Sequence, residues 1–228
     1  IDSPLSWRLV NQAKGDDEEV VFTIPGVVKA KALPPILFNP PPRNKCQFLQ
    51  QNITLTGLGT SSFQESKTAL NEMHAVFSRQ FPEGRVSFWN AGGPDIILSN
   101  RLFTSVMEAG QLESVPFGEN VDPKGILADM LGGALIHTED NQVRYYQRLI
   151  HLTHHRYLPA SPQIFRIGDI VEAQFSLVVY KMKGENYVLK PMLYSIALLD
   201  ASSNSVATRR VVLKRKIGYK TQEETDVQ

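Results

Sequence analysis

Val171-Glu172-Ala173-Gln174-Phe175-Ser176-Leu177-Val178-Val179-Tyr180 is the stretch that decides the fold class. Val171, Ala173, Phe175, Leu177 and Val179 recur at every second residue. Glu172, Gln174, Ser176 and Tyr180 take the alternate positions, the period of a strand with one face on a core. Lys183-Gly184-Glu185-Asn186 then supplies a turn, and Tyr187–Leu199 returns as a second strand. Pro191 has no amide to give to a ladder, which predicts a sheet edge or a bulge in the return. After the polar link Asp200–Ser205, Val206–Ile217 reads as a third strand completing an antiparallel meander, and 221–228 reads as a polar tail.

Upstream the period changes. Phe63, Leu70, Met73, Phe77 and Phe81 recur at helical spacing, Ser62 and Glu65 form a capping box, and Pro82 with Gly84 ends the run, which predicts a helix over about 62–81 packed on a sheet. A shorter helix over about 123–131 starts from Asp122 and Pro123 and stops at Gly132-Gly133. Arg85–Trp89 and Asp95–Ser99 read as short strands joined by a glycine-rich link. Pro34, Pro35, Pro40, Pro41 and Pro42 make 33–45 an extended surface stretch. The chain divides into a proline-rich N-terminal segment over 1–45, one globular domain over 46–220 and the tail. The expected fold is α+β and mainly β: an antiparallel sheet, β-sandwich or distorted barrel carrying one packed helix.

A chain of 228 residues with 42% apolar residues can bury a core of domain size. The one cysteine, Cys46, excludes an internal disulfide and any cysteine-based zinc site, and points to a reducing, intracellular compartment, cytoplasmic or nuclear. No run reaches the roughly 18–20 apolar residues of a membrane span, so no membrane partner is expected.

Phe165-Arg166-Ile167-Gly168-Asp169-Ile170-Val171-Glu172, Leu193–Asp200 and His137-Thr138-Glu139-Asp140-Asn141 resemble segments of a large, expanded group of uncharacterised proteins of mushroom-forming fungi. The resemblance covers the last third of the chain. It implies a fungal source and a habit of family expansion, and these segments carry no catalytic signature.

Charge is unevenly spread behind a formal net charge of +1. Residues 141–220 hold 13 Lys and Arg against 4 Asp and Glu, residues 1–140 hold 11 against 16, and 221–228 hold 0 against 3. All 7 tyrosines fall in the basic stretch. Alternation on the last strand turns Val211, Leu213 and Ile217 inward and leaves Arg210, Lys214 and Lys216 outward. Basic strands interleaved with tyrosines can follow a phosphate backbone while rings stack on bases, so Arg209, Arg210, Lys214, Arg215, Lys216, Tyr219 and Lys220 are the candidate contacts to DNA or RNA. Tyrosine also simply favours strands, and lysine guards sheet edges.

Histidines give the alternative. His137-Thr138-Glu139 has the His-x-acid spacing of the iron-binding facial triad of 2-oxoglutarate oxygenases, which needs a distant third ligand. His154, beside His151 and His155, stands close in sequence for that role, and no histidine follows His155. His151-Leu152-Thr153-His154-His155 could instead bind zinc together with Glu139. No nucleophile elbow, Walker loop or His-Glu-x-x-His motif is present, so no cofactor is assigned and nothing demands an enzyme. A third reading is a protein-interaction or structural subunit, a homo-oligomer or one partnered by another protein.

Overall fold

The computed structural model describes residues 6–12, 17–36, 41–89, 93–151, 154–182 and 184–200. Among these, the strands are β1 (Ser6–Arg8), β2 (Val10–Asn11), β3 (Glu18–Glu19), β4 (Phe22–Ala32), β5 (Gln50–Thr56), β6 (Val86–Phe88), β7 (Ile96–Arg101), β8 (Thr104–Ser105), β9 (Leu135–Ile136), β10 (Arg144–His151), β11 (His154–Pro159), β12 (Ile170–Lys181) and β13 (Tyr187–Asp200). The α-helices are α1 (Ser61–Ser78), α2 (Val106–Ala109) and α3 (Ile126–Met130). The molecule is mainly β, as the period-two pattern predicts.

The residues of β12 that alternate in sequence line the interior: Val171, Ala173, Leu177 and Val179 are fully buried and Phe175 nearly so. Around them the ladders close into a ring. Strand β12 pairs antiparallel with β4, β4 with β5, and β5 with β7. Strand β13 then runs antiparallel along the whole of β12 and meets β7 through one parallel pair, Met192 with Ser99. The spatial order β12-β4-β5-β7 puts the fourth of these strands in the chain beside the first, a Greek key, and β13 closes it into a barrel. Ile24, Val28, Ile53, Leu55, Leu98 and Ile196 fill the inside with the β12 residues.

The antiparallel expectation holds for β12, β4, β5 and β7 and is corrected at β13, whose pairings with β6, β7 and β10 are all parallel. The sheet is therefore mixed. Pro191 is not on an edge strand. It pairs with Leu177, between the residues of β13 that pair with β6 (Tyr187–Leu189) and the one that pairs with β7 (Met192). A residue without an N–H fits there, because the strand is changing partners. The bulge comes nearby, between Gln174 and Phe175, where the partners skip from Ser195 to Leu193.

Helix α1 packs Phe63 and Leu70 into the core, with Met73, Phe77 and Phe81 against its margin. Its start differs from the capping-box reading: Thr60 is the N-cap, and no side chain caps the helix. A Cβ on Gly57 would overlap the Phe63 side chain, so the turn from β5 into α1 requires glycine for close approach. Helix α3 is shorter than the 123–131 expectation. Gly125 stands at its N-cap in left-handed conformation, and Asp122 Oδ2 accepts from the Ala128 amide instead of capping a helix at 123. Positive φ at Gly132 and Gly133 stops it where the sequence predicts.

The N-terminal segment expected to be extended over 1–45 is largely part of the body: β4 is a barrel strand and β1 pairs with the distal half of β12. The third meander strand over 206–217 and the tail over 221–228 lie outside the described residues.

Leu98 is fully buried at the centre of β7. Leu98→Ala is expected to lower unfolding free energy by about 2–5 kcal/mol, read as a shift in urea midpoint at unchanged slope.

Candidate nucleic-acid interface

Arg209, Arg210, Lys214, Arg215, Lys216, Tyr219 and Lys220 lie outside the described residues, and with them 6 of the 13 cations of 141–220. The described tyrosines of that stretch are mostly structural. Tyr145 is buried and donates to Gln51 Oε1 at 2.7 Å, and burial pushes its phenol well above the usual range. Tyr187 packs on Trp7 and Phe81, and Tyr180 donates to the sulfur of Met192.

Tyr194 belongs to an ionic latch. Its hydroxyl donates to Glu19 Oε1 at 2.8 Å and accepts from Arg8 Nη1 at 3.1 Å, while Arg8 also reaches Glu19 Oε2 at 2.8 Å and Asp140 Oδ2 at 2.7 Å. Burial opposes the Arg8 charge, yet Tyr194, Asp140 and Glu19 outweigh it and hold the guanidinium above its ordinary pKa. The latch ties β1 and β3 to β13 and to the loop before β10.

Tyr146 and Tyr157 lie on the outer face of β10 and β11, beside Gln174 and Ser195 of the barrel. The groove they share continues past Arg144 to Glu19, Glu139, Asp140 and Tyr194, with a volume of about 340 Å3 in that part. Glu172 lines its other end and accepts from the Tyr157 hydroxyl at 3.3 Å. Carboxylates outnumber cations along this groove, and they would repel a phosphate chain.

A different arrangement occurs where β13 leaves β7. A cleft of about 210 Å3 opens beside the single Ser99–Met192 pair, lined by Gln50, Asn100, Arg101, Tyr180 and Lys190. Lys190 Nζ sits 4.3 Å from the centroid of the Trp89 ring, a cation–π contact, and that ring is half exposed. Burial depresses the Lys190 pKa, and no neighbouring charge among the described residues offsets it. Arg101 lines the same cleft and holds Glu108 at 2.9 Å. Trp89, Arg101 and Lys190 come from three separate segments, so no local motif announces them. The one available signal is the position of Lys190 opposite the core residue Leu189 in the β13 alternation.

The residues of the metal reading have other partners. His137 is buried, stacked on Phe117 at 4.0 Å between centroids, and its Nδ1 donates to the Leu102 carbonyl at 2.8 Å. Glu139 is exposed, 3.8 Å from Arg144. His154 stands opposite His151 in the β10–β11 backbone ladder. Among the described residues, no three His, Cys, Asp or Glu side chains are grouped so as to hold a metal ion. No described helix is long and apolar enough to cross a membrane.

No protein-family model, curated protein or solved structure matches the chain.

Two outcomes follow from these contacts. Arg8→Gln should destabilise the protein by about 1–3 kcal/mol in urea unfolding, because Glu19 and Asp140 lose their shared partner. Burial also lowers the His137 pKa below 6.5, against the raising effect of the Leu102 bond. The unfolded chain then takes up a proton that the folded one refuses, so stability should fall as pH drops through 6.5 toward the folded value. His137→Gln should flatten that part of the profile in urea midpoints measured between about pH 5 and 8.

Proposed function

We propose that the protein binds single-stranded nucleic acid across the β7–β13 seam, with Lys190 and Arg101 contacting phosphate and Trp89 offering a ring to a base. The observation that carries this reading is Lys190: a partly desolvated ammonium over an exposed indole, with no carboxylate in ion-pairing reach among the described residues. A phosphate there would restore the solvation that burial removes from the ammonium, and stacking on an aromatic face tolerates any base. The cations Arg209, Arg210, Lys214, Arg215, Lys216 and Lys220, with Tyr219, follow β13 in the chain and would add sequence-independent affinity. Partly open, five-stranded Greek-key barrels are also the architecture of oligonucleotide-binding folds. That analogy concerns architecture and assigns no residue.

The test is fluorescence anisotropy with labelled single-stranded oligonucleotides. Affinity should fall by about tenfold or more between about 50 and 200 mM salt, through counterion release. Lys190→Gln with Arg101→Gln should weaken binding and flatten the salt dependence. No binding at low salt would end the reading.

A further inference from the structure

We propose that the cavity beside the 115–121 loop binds a small neutral phenol, whose hydroxyl donates to His137 Nε2. The site shares no lining residue with the β7–β13 seam, so it stands apart from the nucleic-acid reading. Its volume of about 290 Å3 lies at the lower end of the roughly 300–1,000 Å3 of small-molecule pockets, which suits a compact ligand. Leu102, Pro116, Phe117, Val121 and Val143 make its apolar wall, and Gln51, His137 and Gln142 are the polar side chains that line it.

His137 defines the ligand. A carbonyl can only accept, so the 2.8 Å contact with Leu102 places the ring hydrogen on Nδ1. Burial lowers the His137 pKa, so at neutral pH the ring is uncharged and Nε2 is a bare acceptor. Nε2 has no hydrogen-bond partner among the described residues, and it is not one of the unpartnered side-chain atoms sealed from solvent. It therefore keeps an open approach, through the cavity that the ring lines. Gln51 makes no comparable demand, because its amide nitrogen donates to the Asn141 carbonyl and its oxygen accepts from Tyr145, both at 2.7 Å. An anion would find no cation among the lining residues and would meet the Nε2 lone pair, and a cation would find no carboxylate. A neutral donor remains. The Phe117 ring lies over the imidazole at 4.0 Å, Phe103 meets Phe117 edge-on, and the Val115 amide holds the loop to the His137 carbonyl at 2.7 Å. The wall beside the acceptor is thus flat, apolar and already in place, and an aromatic ring packs well against it. A phenol hydroxyl, which ionises at about pH 10, is also a stronger donor than an alkyl one.

The experiment titrates the full chain with para-fluorophenol, para-fluoroanisole and para-fluorobenzoate, followed by fluorine NMR at about pH 7.5, where His137 is neutral. The phenol should bind about fivefold tighter than the anisole, which keeps the ring and loses the donor, the worth of one hydrogen bond. The benzoate should bind more weakly than either. In nitrogen NMR of isotopically labelled protein, the phenol should move the His137 Nε2 resonance upfield, as accepting a hydrogen bond does, and the anisole should leave it in place. Gly118 lines the cavity, and a Cβ there would meet only Val121 Cγ2, at 3.9 Å. Gly118→Trp should therefore fold, fill the cavity and weaken the phenol, and His137→Phe should bring phenol and anisole affinities together. The ligand series and Gly118→Trp keep the test decisive where His137→Phe fails to fold. Anisole or benzoate binding as tightly as the phenol, an unmoved Nε2 resonance, undiminished binding in Gly118→Trp, or no binding of the phenol overturns the proposal.

Discussion

The long antiparallel pairing of β12 with β13 is the constraint on which the rest of the structure depends. Its ladder runs from Ile170 with Asp200 to Lys181 with Tyr187, and every other part of the main sheet attaches to one of these two strands or to a strand that does. The first half of β12 carries β4, and the second half carries β1. On β13, the same division gives β6, then β7, then β10. A hairpin this long cannot keep one neighbour throughout. The bulge at Gln174/Phe175 and the missing amide of Pro191 mark where partners change.

That division also separates charge. Arg8 gathers Glu19 and Asp140 on the side where β1 and β3 meet β13, and carboxylates dominate the adjoining groove. The seam on β7 instead keeps Lys190 without a counter-ion among the described residues. Asn100 stands between the two regions, giving one amide hydrogen to the Asp140 carbonyl and the other to Leu193. A formal charge of +1 for the whole chain hides this segregation.

Local periodicity made much of the fold legible. Val171 to Val179 identify β12, the hairpin into β13 follows from Lys183–Asn186, and the spacing from Phe63 to Phe81 identifies α1. Its starting residue was not legible, because Thr60 caps by backbone position and not by side chain. Closure of the barrel was not legible either. It depends on the parallel contact of Met192 in β13 with Ser99 in β7, far apart in the chain, and nothing in a short window encodes it. The candidate site fared worse for the same reason. Counting charge singled out 141–220, which contains Lys190, but Trp89 and Arg101 lie outside that stretch and join it only in the folded chain. His137 attracted attention through its spacing to Glu139, whereas its ring is held by Leu102 and Phe117, residues that no His-x-acid pattern includes.

The single Ser99–Met192 pair has a thermodynamic consequence. A ligand gripped by Arg101 on one strand and Lys190 on the other would span the one place where the ring of ladders is a single residue deep. It would act as a staple, present only in the folded state. By mass action, each tenfold excess over its dissociation constant adds about 1.4 kcal/mol to the stability of the native barrel. Ligand binding and mechanical closure would therefore be linked at this seam, and a rise in melting temperature would report occupancy for any ligand chemistry.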